Sequence, residues 1–307
     1  AGQVDVFGDI DIAAPAGNSP LVSVTGSLIG SIINFSGNNN NFDGGTGGGT
    51  GMLFSNNPAG STFVASGQTV VSGGVGRGVD IDTNNSTVQF GNVSNGTLSG
   101  LTVLQTGATA LEGLRISNST GPATFNGITT LQRQTIAPVT GTPLVDITNS
   151  TSPIFFNNLV VTESFGNIGI NMVGNGQGAE GNGRILMSDV NVLTNGGTAV
   201  FGLDNHLIQT RAGDITAIDA PAIDIENSGI MIDLEQVSSS NSPTYGIRLV
   251  DTNKDAVSGH PIIARTFTVR GTPVVGTQVG ATPFGGVIED AAAEGILLQN
   301  AGEVSLS

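Results

Sequence analysis

Oxygen-bearing side chains at every second residue are the first feature of this sequence that could do chemistry. Asp80, Asp82 and Asn84 are separated by single residues. In a β-strand, alternate side chains lie on one face, so the carboxylates could converge. Carboxylate and amide oxygens are the ligands that Ca²⁺ prefers. The spacing therefore predicts a calcium site at these three residues. The alternative is an exposed acidic strand face that binds no specific ion.

A second group of residues combines acidic and basic side chains. Asp204 lies two residues before His206, and Arg248 lies three residues before Asp251. Cleavage of a polysaccharide needs clustered carboxylates together with a basic residue on one face. These four residues are therefore the candidate catalytic set of a polysaccharide lyase or a glycoside hydrolase. The alternative, which we favour, is that they are solvated turn residues.

Composition and charge exclude several classes of function. The chain has 9 Lys and Arg against 24 Asp and Glu, a formal charge of −15, so nucleic acid and anionic membranes are not expected partners. No stretch of 18 apolar residues is present, so no membrane insertion is expected. There is no cysteine, and His206 and His260 lie 54 residues apart, so a zinc site is not expected either.

A degenerate repeat organises most of the chain. In eight segments an apolar–x–apolar triplet is followed by an asparagine or aspartate four or five residues past its first apolar residue. Asparagine tolerates the left-handed conformation of a tight corner, and its amide can hydrogen-bond to the next copy. We therefore predict one structural ladder of stacked amides at Asn84, Asn118, Asn149, Asn175, Asn205, Asn227 and Asn300.

The spacing of the repeat predicts the fold class. The gaps between the repeated corner residues are 22 to 34 residues, enough for three short strands and their turns. This pattern is typical of an all-β chain folded as a parallel β-helix, with about 11–13 coils and almost no helix. The last gap, of 49 residues, predicts two coils, with an obscured copy near Val274 and Val275. The one helix candidate, residues 290–294, is too short to be stable alone.

The domain organisation expected from the repeat is a single β-solenoid over residues 1–307. Residues 1–75 are expected to be less regular and to contain a Gly/Asn-rich surface loop at 37–51. Regular coils are expected over residues 76–307.

The middle residues of the triplets are expected to form an outward column: Asp80, Arg115, Asp146, Asn171, Asp224 and Arg248. Stacked neighbours of opposite charge stabilise by about 0.2–1 kcal/mol per pair. The functional alternative is a carbohydrate-binding face. That alternative is less favoured, because such faces usually use exposed aromatic rings, and this chain has one Tyr and no Trp.

Two copies of the repeat carry a family resemblance. Residues 78–86 (GVDIDTNNS) and 113–120 (GLRISNST) are similar to the repeats of bacterial cell-surface β-strand-repeat proteins. That family includes autotransporter-like passengers, and the resemblance implies a right-handed, pectin-lyase-like parallel β-helix. It also implies secretion and an adhesive or matrix role. Pectin-degrading enzymes share the fold, but their Asn-Thr-Asp, Asp-Asp, Gly-His-Gly and Arg-x-Lys motifs are missing, and residues 258–261 read SGHP.

The expected function follows from the repeat and from the two ends. Residues 4–6 and 302–307 are strand-like, without a polar or helical cap, which favours end-to-end self-association. The chain starts Ala-Gly-Gln, consistent with removal of a signal peptide. We therefore expect a non-catalytic, extracellular structural or adhesive protein, a bacterial cell-surface or biofilm-matrix rod that stacks into a filament. No cofactor is expected apart from the calcium considered above. Surface glycans are a second candidate partner.

Two other functions remain as alternatives. One is the polysaccharide lyase or glycoside hydrolase described above. The other is a phage-type receptor-binding spike, which would be a stable trimer.

Overall fold

Parallel strands stacked in successive coils form the chain. Every described strand pairing is parallel, and no helix occurs among the described residues, so the expected all-β parallel β-helix is confirmed. In particular, the described part of the chain has no helix that could cross a bilayer. The computed structural model describes residues 2–13, 19–45, 47–92, 100–133, 141–176, 183–252, 266–271 and 285–306.

Each coil contributes strands in the same order. The first five coils contain β1 (Gln3–Val6), β2 (Ile10–Ala13) and β3 (Val22–Thr25); β4 (Ile32–Phe35), β5 (Asn39–Asp43) and β6 (Met52–Ser55); β7 (Thr62–Ala65), β8 (Gln68–Gly73) and β9 (Val79–Asp82); β10 (Thr87–Phe90), β11 (Leu101–Gln105) and β12 (Leu114–Ser117); and β13 (Ala123–Arg133) with β14 (Val145–Thr148). The remaining strands are β15 (Ile154–Glu163) and β16 (Ile170–Val173); β17 (Arg184–Asn195) and β18 (Val200–Leu203); β19 (Leu207–Thr210), β20 (Asp214–Ile218) and β21 (Ile223–Glu226); β22 (Ile230–Leu234), β23 (Gln236–Ser240) and β24 (Ile247–Val250); β25 (Thr266–Val269), β26 (Ile288–Glu289) and β27 (Ile296–Gln299); and β28 (Glu303–Leu306).

The strands stack in three columns. Columns 1 and 2 together form an 18-stranded sheet, because β13, β15 and β17 each run through both columns. Column 3 is a separate 10-stranded sheet, with one strand from each coil. The described residues therefore form ten complete coils, and β28 begins an eleventh in column 1. This count lies close to the lower end of the predicted 11–13 coils. At about 4.8 Å per coil the stack is about 50 Å long.

The 49-residue gap near the C-terminus is one coil and not two. Strand β24 pairs directly with β27, with Ile247 opposite Ile296 and Leu249 opposite Leu298. No column 3 strand can lie between two strands that are hydrogen-bonded to each other. The prediction of an additional coil is therefore wrong, and Val274 and Val275 lie outside the described residues.

The Gly/Asn-rich segment 37–51 is not a loop throughout. It contains β5, which pairs with both β2 and β8. Within β5 the side chains of Asn40 and Phe42 are fully buried, while Asn39 is exposed and Asn41 is half-buried. The run of asparagines conceals the alternation of a strand. The helix candidate at residues 290–294 is also irregular structure, which begins with Asp290 in a left-handed conformation (φ 52°).

The core lies inside the coils and follows the alternation of each strand. Inward positions of column 1 include Phe90, Phe125 and Phe156, whose rings stack across three successive coils. The Phe125 and Phe156 ring centroids are 4.6 Å apart, with an interplanar angle of 8°. Burial of each such ring contributes about 1.5–3 kcal/mol. This continuous interior leaves outward residues and corners as the places where chemistry could occur.

Candidate functional site

The corner after column 3 contains two structurally different positions in every described coil. The first residue after the strand has a positive φ, and the second turns its side chain toward the interior. In chain order the left-handed residues are Gly26, Asn56, Thr83, Asn118, Asn149, Gly174, Asp204, Asn227, Asp251 and Asn300. The inward residues that follow them are Ser27, Asn57, Asn84, Ser119, Ser150, Asn175, Asn205, Ser228, Thr252 and Ala301.

The predicted asparagine ladder is therefore wrong as a single column. Asn84, Asn175 and Asn205 occupy the inward position. The other four, Asn118, Asn149, Asn227 and Asn300, occupy the left-handed position. The distinction is present in the sequence. Inward asparagines lie five residues past the first apolar residue of their triplet, and left-handed ones lie four residues past it.

The inward position forms short ladders that satisfy buried backbone groups. The Asn175 Nδ2 atom donates to Asn205 Oδ1 at 2.8 Å. Asn205 Nδ2 in turn donates to the Met172 carbonyl at 2.8 Å, and the Asn205 backbone N–H donates to Ser228 Oγ at 3.0 Å. A second ladder joins Asn57 Nδ2 to Asn84 Oδ1 at 3.1 Å. Serine replaces asparagine in several coils, which limits each ladder to two or three coils.

The outward column predicted from the triplets is confirmed in its register. Asp80 lies opposite Arg115, Arg115 opposite Asp146, and Asp146 opposite Asn171. Asp224 likewise lies opposite Arg248. Phe201 stands between Asn171 and Asp224 in this column, at the degraded copy of the repeat.

Ion pairs between neighbouring coils compensate the charges of this column. Arg115 Nη1 lies 3.1 Å from Asp80 Oδ1, and Arg115 Nη2 lies 3.4 Å from Asp82 Oδ1. In the later coils Arg248 repeats this arrangement, with Nη1 2.8 Å from Asp224 and Nη2 2.6 Å from Glu226. In both places one arginine bridges two acids of the preceding coil, and the acids lie at alternate positions of one strand.

The three predicted calcium ligands do not converge. Asp80 and Asp82 point outward from β9, and both are paired with Arg115. Asn84 is fully buried on the other side of the corner, where its amide contacts Asn57 and Ser86. The strand ends at Asp82, so the alternation that would have placed Asn84 beside the carboxylates does not continue through the left-handed Thr83. Within the described ranges, no group of three His, Asp or Glu side chains is placed to hold a metal ion.

The candidate catalytic residues fall into three different environments. Asp204 and Asp251 are left-handed corner residues two coils apart, separated by Asn227. His206 is 7% exposed, and its backbone N–H donates to the Asn175 carbonyl at 2.8 Å. Arg248 lies on the outer face of column 3, paired with Asp224 and Glu226. The structure thus places the two aspartates in one column, the histidine at a buried position two residues past Asp204, and the arginine on the outer face of column 3.

Asp–Asn pairs recur between neighbouring coils. At the corner after column 3, Asn227 donates to Asp204, and Asn300 Nδ2 donates to Asp251 Oδ1 at 2.9 Å. On the outer face of column 3, Asn171 Nδ2 donates to Asp146 Oδ1 at 2.7 Å. Further pairs join Asp11 to Asn41, Asp189 to Asn158 and Asp219 to Asn241. An amide beside each carboxylate avoids like charges at the coil spacing of about 4.8 Å.

A buried ion pair was missed by the sequence reasoning. The side chains of Arg133 and Glu163 are both 0% exposed, with Arg133 Nη1 2.6 Å from Glu163 Oε2. Arg133 also donates to the carbonyls of Leu111 and Thr142, and Glu163 accepts from the Phe165 backbone N–H. The pair therefore links the turns between columns 2 and 3 in two neighbouring coils. The available signal was period-2 alternation, since both residues fall at inward positions of their strands.

Burial shifts the pKa of several of these groups. Burial raises the pKa of Asp80 above its ordinary value, although Arg115 opposes the shift. Burial also raises the pKa of Asp146, against the hydrogen bond from Asn171. In the buried pair, burial raises the pKa of Glu163 and lowers the pKa of Arg133. The contacts between coils only partly offset the loss of water around these charges.

Chemically, the outward acids and arginines hold coils together. The ion pairs of Arg115, Arg248 and Glu163 run between one coil and the next, so these groups act as structural pairs. A scan of the chain against protein-family models finds no match, and searches of curated proteins and of solved structures also find none.

Proposed function

We propose that this protein is a non-catalytic extracellular structural or adhesive rod, carried on a bacterial surface or in a biofilm matrix, whose copies stack end to end. One observation carries the structural part of the proposal. Several charged and polar side chains that could take part in catalysis or metal binding are engaged in contacts between coils, as at Arg115, Arg248 and Asn227. Contacts between coils stiffen the stack, and stiffness along its length is what a structural rod requires.

The extracellular assignment is supported by composition and by the repeat. The formal charge of −15 favours solubility and disfavours nucleic acid. The phrases GVDIDTNNS and GLRISNST resemble repeats of bacterial surface proteins. A parallel β-helix with few lysines and arginines also offers few cleavage sites to trypsin-like proteases, which suits a protein outside the cell.

End-to-end stacking is supported by the outermost strands of the described stack. Among the described residues, strands β1, β2 and β3 pair on one side only, as do β26, β27 and β28. Unpaired parallel strands are templates for further strands. Large apolar side chains are exposed beside them, including Phe7 (80%) and Ile29 (72%) at one end and Leu298 (44%) at the other. A second copy would cover these side chains and extend the columns.

Electron microscopy of the purified protein tests the proposal. We expect rods about 50 Å long that join into longer filaments as the concentration rises. Leu298→Asp should shorten the filaments, because it places a charge on the surface that the next copy must cover. Thr216→Asp, on the side of the rod, is the matched control and should leave filament length unchanged. Uniform short particles at high concentration would contradict the proposal, as would a stable closed trimer by mass measurement.

A further inference from the structure

A small pocket lies at the corner after column 3 in the first coils of the stack. Its lining includes four serines, Ser27, Ser31, Ser61 and Ser86. The last three directly precede β4, β7 and β10, which pair in register, so these serines are stacked in successive coils. All residues that line the pocket belong to the described ranges. The pocket is large enough for one water molecule.

The Ser27 hydroxyl is the unsatisfied polar group of this pocket. Its oxygen is buried, and among the described residues no group is hydrogen-bonded to it. The hydroxyls of Ser61 and Ser86 already donate, to the Pro58 carbonyl at 2.7 Å and to Asn84 Oδ1 at 3.0 Å. Both of these oxygens therefore retain the capacity to accept a hydrogen bond. A water in the pocket thus has a donor and acceptors within the same lining.

The inward column of this corner explains why the unsatisfied group is at position 27. In the next two coils the inward residues are Asn57 and Asn84, and Asn57 Nδ2 donates to Asn84 Oδ1 at 3.1 Å. Ser27 precedes them by one coil, and its backbone N–H donates to Asn57 Oδ1 at 3.0 Å. Serine lacks the amide of asparagine, so the side-chain ladder ends at Asn57 and does not continue to Ser27.

A serine at the inward position does not by itself create such a site. In the fourth coil Ser119 follows Asn84 in the inward column and is fully buried. Its oxygen accepts from the Asn84 backbone N–H at 3.3 Å, and its hydroxyl donates to the Ser117 carbonyl at 3.1 Å. Ser119 is therefore satisfied by the protein itself. Ser27 differs because it combines an unsatisfied hydroxyl with adjacent space.

We propose that this pocket binds one water, which takes the place of a ladder amide beside Ser27. The water accepts from the Ser27 hydroxyl and donates to the serine oxygens next to it. It thereby removes the cost of a buried hydroxyl without a partner. A metal ion is not the occupant, because no carboxylate is among the described residues that line the pocket. Since the serines belong to successive coils, the water links the corner turns of the first coils.

A crystal structure that shows ordered waters tests the site directly. We expect one water within hydrogen-bond distance of Ser27 Oγ and of at least one other serine oxygen of the pocket. A pocket without an ordered water overturns the proposal, as does a Ser27 hydroxyl that is bonded to a protein group instead.

A pair of matched variants tests the proposed equivalence of water and amide. Ser27→Asn should displace the water and donate to Asn57 Oδ1, so its Tm should equal or exceed that of the natural protein. Ser119→Asn is the control. It places the same larger side chain where the inward serine is already satisfied and tightly packed, so its Tm should fall by several degrees. Equal changes of Tm in the two variants, measured by circular dichroism, would overturn the proposal.

Discussion

The two sheets of the rod use charge in opposite ways. The 10-stranded sheet places acids and arginines on its outer face, where they bridge successive coils. The 18-stranded sheet has an uncharged outer face through coils 3 to 6, where no Asp, Glu, Lys, Arg or His occurs in residues 62–73, 87–92, 100–105, 123–132 and 154–162. The charged pair at its border, Arg133 and Glu163, is buried inside. Both sheets have the same backbone pairing and nearly the same spacing. The difference shows that the fold does not dictate the surface, and that each side of the rod is free for a separate role.

The largest expected effect comes from breaking the buried pair. Arg133→Met leaves the Glu163 carboxylate buried without its cation, and we expect a loss of about 3–5 kcal/mol in the free energy of unfolding. The double variant Arg133→Met with Glu163→Leu removes both charges and should recover most of the loss. Denaturant unfolding of the three proteins measures both effects. A single variant as stable as the natural protein would show that this charge is not buried as described.

The outer face of the 10-stranded sheet should be the next most sensitive. Arg115→Met removes the cation that bridges Asp80 and Asp82, and we expect a loss of about 2 kcal/mol because Asp80 is only 4% exposed. The matched change on the uncharged face is Thr130→Met, which touches no charge and should stay within about 0.5 kcal/mol. Thermal or denaturant unfolding compares the two. Equal losses of stability in Arg115→Met and Thr130→Met would contradict the proposed difference between the outer faces of the two sheets.

A like-charge contact created between coils should cost less. Asn171→Asp replaces the amide that donates to Asp146 with a second carboxylate, and we expect a loss of about 1 kcal/mol at neutral pH. The loss should shrink at high salt, which screens exposed charges. Gln89→Glu, in the uncharged region, meets Val64 and Thr124 in the neighbouring coils and is the control that should change little. A loss from Asn171→Asp that salt does not change would argue against electrostatic repulsion.

The smallest effect concerns pH. The pKa values of Asp80, Asp146 and Glu163 are raised by burial above the ordinary 3.8 and 4.5, so the folded protein retains these protons to a higher pH than the unfolded chain. The free energy of unfolding should therefore rise as the pH falls from 7 through these raised pKa values. The rise should end when the pH approaches the ordinary pKa values of these carboxyls. Asp9 should weakly oppose this rise in the free energy of unfolding, because the Asn39 backbone N–H lowers the pKa of Asp9.

A variant identifies the source of this pH dependence. Asp146→Asn removes one of the carboxyls with a raised pKa, so its stability should rise less steeply than that of the natural protein as the pH falls. Unfolding curves at several pH values provide the measurement. Stability that declines steadily between pH 7 and pH 5 would contradict the assignment of raised pKa values.

The sequence was sufficient to predict the architecture but not the details of each corner. Alternation and repeat spacing predicted the parallel coils and the register of Asp80 against Arg115, because both depend on local periodicity. The prediction did not separate asparagines four residues past the first apolar residue of the triplet from those five residues past it. Asn84 and Asn118 were therefore assigned to one ladder. The asparagine run at 39–41 was interpreted as a loop, because composition masked the inward Asn40 and Phe42.

Contacts between distant parts of the chain were harder to predict. The pairing of Arg133 with Glu163 depends on which residues of two coils share a corner, and the composition of either strand does not reveal it. The prediction of an additional coil in the 49-residue gap was wrong for a similar reason. A long segment between two strands can form either a further coil or an excursion from one coil, and only the pairing of β24 with β27 distinguishes them.

The pairing of β24 with β27 has a consequence for how such a chain can change over generations. Asn300 lies 49 residues after Asp251, yet these two side chains are hydrogen-bonded at 2.9 Å, as in coils half that length. Lengthening an excursion adds only a loop-closure cost that grows slowly, by about 0.6 kcal/mol for each doubling. New peptide sequence can therefore be inserted between columns while the register is preserved, so the rod can acquire new epitopes or binding segments without redesign of its scaffold.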